Sequence, residues 1–153
     1  MEGVPKGGTP ETRVGVRMKA AGEAVGITFT GKCDRYPNSL AAHALLKYAA
    51  KVSPSKQSEL QEVVFRQYFT DGLYPSVDNL AAAALEVGLD SEAAREFAES
   101  EENQSAVEAE AREISRAGVT GVPFFFVNGE PAFSGAQPPA TFVRLLDEAA
   151  AER

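Results

Sequence analysis

The sequence contains a single cysteine, Cys33, and a single histidine, His43. One cysteine excludes an internal disulfide, a zinc cluster and a C-x-x-C redox pair within this chain. No metal-ligand cluster, P-loop or Rossmann glycine pattern is present, so neither a metal nor an organic cofactor is expected. Positive charge is also scarce: 22 acidic against 15 basic residues leave a net charge of -7, without any basic block. That balance argues against nucleic acid or an anionic membrane as the main partner. Long apolar runs are missing too. None approaches the roughly 20 residues of a membrane span, and Met1–Ala20 lacks the apolar core of a secretory signal. The expected location is therefore cytoplasmic.

What is present suits one globular domain. A chain of 153 residues, 44% hydrophobic and 24% charged, can bury roughly two-thirds of its unfolded surface. Residues 1–8, "MEGVPKGG", read as a loose Gly/Pro-rich arm. Thr9-Pro10-Glu11 is a helix start, with Thr as N-cap and Pro at the first helical position, and the helix is predicted to reach about Val25. Ile27–Thr30 is short and extended, and Gly31–Pro37 is a loop. Asn38 or Ser39 caps a helix to about Lys51, on which Leu40, Ala44, Leu45 and Tyr48 share a face. Ser58-Glu59-Leu60-Gln61 fits a capping box that opens the next helix. Ser76 caps a helix ending at Gly88, Asp90 or Ser91 opens a short one to about Ser100, and another is predicted from Ser105 to Ala117. A last helix starts near Pro138 or Pro139 and buries Phe142, Leu145, Leu146 and Ala149.

The stretch Gly118–Pro139, "GVTGVPFFFVNGEPAFSGAQPP", departs from this helical pattern. Asn128-Gly129 is the strongest short hairpin signal, because a type I′ turn needs positive φ at both central residues. Phe124–Val127 is continuously apolar, as in a strand buried on both faces. A lone two-stranded hairpin is only marginally stable, and its outer edge presents unpaired backbone groups. This strand expects a neighbour that the rest of the sequence does not supply.

Residues 118–149, "GVTGVPFFFVNGEPAFSGAQPPATFVRLLDEA", resemble the C-terminal end of the DsbA-like thioredoxin-fold family, and within it the FrnE-type dithiol-disulfide isomerases and oxidoreductases. The upstream segments "YPNSLAAHALLKYA", "VVFRQYFTDG" and "AAALEVGLD" follow that family's order. The resemblance runs from about Thr12 to near the end of the chain. It implies an α/β chain with a partial thioredoxin-like (DsbA-like) fold: residues 1–153 as a single domain, a mostly helical insertion over 38–117, and a closing strand-strand-helix over 118–151. It also implies that the family's first strand and its C-x-x-C belong to a preceding segment. The expectation is thus a shortened form whose hairpin is half of a thioredoxin sheet, with a longer form of the same protein carrying the dithiol. As it stands, the chain is predicted to be inactive as a dithiol oxidoreductase.

By the same resemblance, Thr120, Gly121, Val122 and Pro123 are the cis-proline loop, the substrate-binding element beside the redox cysteines. The residues alone favour a trans proline that merely starts a strand. The implied partner is a thiol- or disulfide-containing protein or peptide. Cys33 does not match the C-x-x-C position, and its neighbours Lys32, Asp34 and Arg35 pull in opposite electrostatic directions; it reads as an incidental loop cysteine. One thiol cannot complete an exchange cycle that needs a second to resolve the mixed disulfide. His43 matches a family histidine on the Asn38 helix and reads as a surface or structural residue. Asn38, Ser134 and Gln137 also match family positions and read as a cap, a strand end and a helix N-terminal residue. The acidic stretch "ESEENQSAVEAEARE" is a solvated helix face.

Two other readings stay open. Glutathione-dependent isomerases and kappa-type glutathione transferases share the DsbA-like fold, but Ser134-Gly135-Ala136-Gln137 stands where they carry a Trp-Gly-Gln-Asp-like stretch. A non-catalytic module could instead recruit a partner, or a second copy in a homo-oligomer, through the exposed edge of Phe124–Val127.

Overall fold

The computed structural model describes residues 3–151; Met1 and Glu2 of the predicted arm, with Glu152 and Arg153, lie outside them. The chain forms two compact units, residues 1–108 and 109–153.

Part of the predicted loose arm is a strand, β1 (Val4–Pro5), paired antiparallel with β2 (Arg35–Tyr36) inside the predicted Gly31–Pro37 loop. The Lys6 amide donates to the Asp34 carbonyl at 2.6 Å and extends the pairing. Two-residue strands are held by backbone groups alone, so no side-chain alternation announces them.

The predicted helix from Thr9 to Val25 is two helices. α1 (Pro10–Arg13) starts at Thr9 as expected, with the Thr9 amide donating to Thr12 Oγ1 at 2.9 Å. Val14 then turns extended, with φ -113 and ψ 117, and α2 (Val16–Glu23) begins anew. The break follows from tertiary bonds. The Arg13 guanidinium donates to the carbonyls of Gly8, Gly31 and Lys32 at 3.0, 3.2 and 3.4 Å, fastening this turn to two loops. Ile27–Thr30 makes no strand ladder. Instead the Thr30 amide donates to the Phe69 carbonyl at 3.0 Å, and its hydroxyl to that of Thr70 at 2.8 Å.

The core of unit 1 is built from α3 (Leu40–Val52), α4 (Gln57–Phe65), α5 (Val77–Glu86) and α6 (Ser91–Glu99). Leu45, Leu60 and Leu80 are completely enclosed, each stabilising by about 1.5–3 kcal/mol relative to exposure. Ala44, Ala49, Ala83, Ala84, Ala94 and Ala98 are also fully buried. These small side chains let α6 pack closely against both α3 and α5. Of the predicted caps, Asn38 Oδ1 accepts from the Leu40 amide at 3.1 Å and Ser76 Oγ from Asn79 at 3.3 Å. Asp90 Oδ1 accepts from Glu92 and Ala93 at 3.0 and 2.9 Å. Gly88 ends α5 with φ +80, a left-handed C-cap that glycine adopts without a steric penalty.

Ser58 is not a cap: α4 already begins at Gln57, on a 3-10 turn over Pro54–Lys56 that supplies the entry instead. After Phe65 the helix widens into a π-helical turn, Arg66–Asp71, closed by Gly72 at φ +84. A wide turn of this kind has no periodicity signal of its own.

α7 (Glu101–Arg116) starts four residues before the predicted Ser105, and the unit boundary falls within it. Its acidic residues are exposed, as the composition of that stretch predicts. In unit 2, β3 (Phe124–Val127) and β4 (Glu130–Ser134) form an antiparallel hairpin, followed by α8 (Pro139–Ala151). Phe142, Leu145 and Ala149 on α8 are partly covered. Leu146, predicted to be buried with them, is 60% exposed.

Candidate functional site

The loop singled out by sequence begins where α7 stops. Gly118 takes φ +97 just beyond the helix, and the Gly118 and Val119 amides close the last turn on the Ser115 and Ile114 carbonyls at 3.1 and 3.3 Å. Thr120, Gly121, Val122 and Pro123 follow as one exposed segment, with Val122 at 89% exposure. The Val122–Pro123 peptide bond is cis. The Pro123 carbonyl accepts from the Gly135 amide at 2.8 Å, which anchors the loop to the far end of β4.

The hairpin has the turn its residues predict: Asn128 and Gly129 take φ 52 and 88. The register places Phe124 opposite Ser134, Phe125 opposite Phe133, Phe126 opposite Pro131 and Val127 opposite Glu130, with an irregularity between Phe125 and Phe126. Ala132 is the extra residue of that bulge. The faces of β3 are chemically alike but differently used. Phe125 stacks on Phe133 at 4.7 Å between centroids, and Phe142 of α8 meets both edge-on at 4.9 and 5.1 Å. On the other face, Phe124 and Phe126 lie 5.0 Å apart, and Phe126 is 44% exposed. Among the described residues β3 pairs with β4 alone, so its second edge offers unpaired backbone donors and acceptors.

No residue from Gly118 to Gly129 is ionisable. This segment can hold an extended chain by backbone hydrogen bonds and apolar contact, but it supplies neither a general acid nor a base.

The other sequence candidates are Cys33 and His43 in unit 1, and Ser134 and Gln137 beside the hairpin. Cys33 is buried, 5% exposed, with Sγ 3.5 Å from the Arg35 carbonyl. His43 is exposed on α3. Ser134 ends β4, and Gln137 Nε2 reaches back to the Ser134 carbonyl at 3.3 Å, two residues before α8. Among the described residues no group of three His, Cys, Asp or Glu side chains is placed to hold a metal. Likewise, no helix there is long and apolar enough to cross a membrane.

Charge interactions mark surface pairs rather than a reaction centre. The Glu86 carboxyl is held below its ordinary range by hydrogen bonds from Arg66, and that guanidinium is raised in return. Arg95 is raised by Asp78 at 2.7 Å. Glu11 is lowered, first by a hydrogen bond from Thr9.

One feature without a sequence signal is a cavity of about 280 Å³ in unit 1, lined by Lys6, Arg13, Met18, Phe29, Tyr36 and Phe69 among others. Its residues come from β2, α1, α2, the π-helical turn and the segments between them. Only tertiary packing assembles them.

Comparison with known proteins places this architecture. A family model for the DSBA-like thioredoxin domain matches residues 7–147. Among solved structures, a probable DsbA oxidoreductase from Streptomyces coelicolor is similar at a TM-score of 0.76 and 28% sequence identity. The match covers 90% of this chain and 59% of that one, so the chain spans about three-fifths of that protein's length. No curated protein matches it.

Proposed function

The chain belongs to the DsbA-like thioredoxin family, and we propose that its Thr120–Pro123 loop and the free edge of β3 bind an extended segment of a thiol- or disulfide-containing polypeptide. The observation that carries this reading is the unpaired edge of Phe124–Val127, continuous with the highly exposed Val122. Backbone pairing at such an edge gives affinity without demanding a particular sequence. The absence of ionisable side chains along the loop suits recognition rather than proton transfer.

In this reading the two compact units belong to one DsbA-like domain, since the family match runs through both. In the FrnE-type proteins that the sequence resembles, the reaction is dithiol-disulfide exchange: a thiolate attacks a substrate disulfide, and a second thiol resolves the mixed disulfide. With one thiol, and that one buried, this chain performs the binding half and does not turn over disulfides by itself. The free edge also admits a second copy of the chain, which would cover Phe124 and Phe126.

Two assays test this. In insulin reduction with dithiothreitol, the chain is expected to add nothing to the uncatalysed rate; turnover that persists in Cys33→Ala would overturn the division of roles. In an amide-resolved NMR titration with an extended cysteine-containing peptide, shifts are expected at Val122 and Phe124–Val127. Saturable shifts confined to unit 1 would refute the site.

A further inference from the structure

We propose that the cavity among Lys6, Arg13 and the aromatic side chains of unit 1 is a binding site for a compact aromatic carboxylate, separate from the strand edge. The cavity holds about 280 Å³, close to the lower limit for small-molecule pockets and wide enough for one ring. Phe29, Phe69, Met18 and Val14 line it with apolar surface, and Tyr36 and Tyr68 add aromatic faces.

The argument for an anion rests on two cations, neither of which makes an ion pair with a carboxylate within 4 Å among the described residues. The Lys6 ammonium donates to the Tyr68 hydroxyl at 2.7 Å and lies over the Tyr36 and Tyr68 rings, 5.2 and 4.8 Å from their centroids. Those contacts hold it in place without cancelling its charge. Arg13 commits both terminal nitrogens to the carbonyls of Gly8, Gly31 and Lys32. Its Nε is buried with no acceptor. A buried donor left unsatisfied requires an explanation, and a guanidinium N–H without an acceptor bonds most strongly to an anionic oxygen. Of the two nearby acids, the exposed Glu11 carboxyl is hydrogen-bonded first by Thr9 and feels Lys19 and Arg13 only as the last of its influences, and Asp34 lies 4.0 Å from Arg35. In a protein of net charge -7, two cations facing one apolar cavity are a local exception, and they set the ligand's polarity: a carboxylate toward Lys6 and Arg13, a ring against Phe29 and Phe69. A free acid and a polypeptide ending in an aromatic residue share this chemistry.

The test uses the intact chain and amide-resolved NMR with three probes: hydrocinnamate, its uncharged amide, and an N-acetylated tripeptide ending in phenylalanine. Hydrocinnamate is expected to give saturable shifts at Lys6, Gly15, Gly31, Cys33 and Phe69, and the amide at least about tenfold weaker binding. Lys6→Met keeps the apolar stem and is expected to weaken hydrocinnamate about tenfold while leaving the remaining spectrum unchanged. Stronger binding by the tripeptide assigns the site to a chain terminus, and stronger binding by the free acid assigns it to a small molecule. The proposal is overturned if neither carboxylate saturates by about 10 mM, if the amide binds equally well, or if Lys6→Met stays folded and binds unchanged.

Discussion

Arg66 grips Glu86 with a parallel pair of hydrogen bonds, Nη1 to Oε1 at 2.9 Å and Nη2 to Oε2 at 2.8 Å. The same guanidinium reaches Asp71 Oδ2 through Nε at 3.3 Å. One side chain thereby ties the π-helical turn to the last turn of α5. Because the pair lies at the surface, its strength depends on this geometry rather than on desolvation. It holds Glu86 below the ordinary carboxylate range. A carboxylate with a lowered folded-state value contributes stability that is present above its unfolded value and is lost as pH falls through the folded one. Titration of the Glu86 carboxyl by NMR is therefore expected to show a midpoint below that of a free glutamate. Arg66→Gln should return it to the ordinary range, and an unchanged midpoint would remove the pair from the account.

The enclosed leucines set the stability of unit 1. Leu60→Ala is expected to cost about 2–5 kcal/mol, because the alanine-rich surroundings leave little side-chain volume to collapse into the cavity. Leu146→Ala, on the exposed side of α8, should stay within about 0.5 kcal/mol. Denaturant unfolding followed by circular dichroism separates the two. Equal losses would mean that Leu146 is covered in solution, as in a dimer.

Gly72 closes the π-helical turn at φ +84, and a Cβ there would collide with the Lys32 Cβ. Gly72→Ala should destabilise by about 2 kcal/mol or more, combining left-handed strain with that contact. Hydrogen exchange should speed up first at the Thr30 and Leu73 amides, whose partners are the Phe69 and Gln67 carbonyls. A neutral substitution would show that the turn rearranges freely.

Cys33 is enclosed, so its reactivity should report opening of the surrounding loops. Ellman's reagent is expected to modify the native thiol at least about tenfold more slowly than the denatured one. Comparable rates would expose the thiol and reopen it as a candidate nucleophile.

Local chemistry is legible in the order of the residues. Ser76, Asp90 and Asn38 accept the amides that caps accept, Gly88 takes the left-handed C-cap, and Asn128-Gly129 makes the turn that only a residue pair tolerant of positive φ makes easily. The last helix begins at Pro139 for the same kind of reason. The loop Thr120–Pro123 stands out because a proline before four apolar residues interrupts a helical sequence. These signals work because each depends on residues within about one turn of one another.

Where contacts are distant in sequence, the pattern carries nothing. The pairing of Val4–Pro5 with Arg35–Tyr36 crosses about thirty residues of chain and uses backbone groups that every residue has. Arg13 breaks the first helix by reaching carbonyls on both sides of it, which propensity alone does not anticipate. Lys6 falls in a stretch whose composition reads as a loose arm, yet it lies over two tyrosine rings. By itself the sequence determined the caps at Asn38, Ser76 and Asp90, the hairpin turn, the scarcity of sulfur and the family. Tertiary structure alone decided the wide turn at Arg66–Asp71, the burial of Cys33 and the cavity beside it, because those depend on which side chains and carbonyls meet once the chain has folded back on itself.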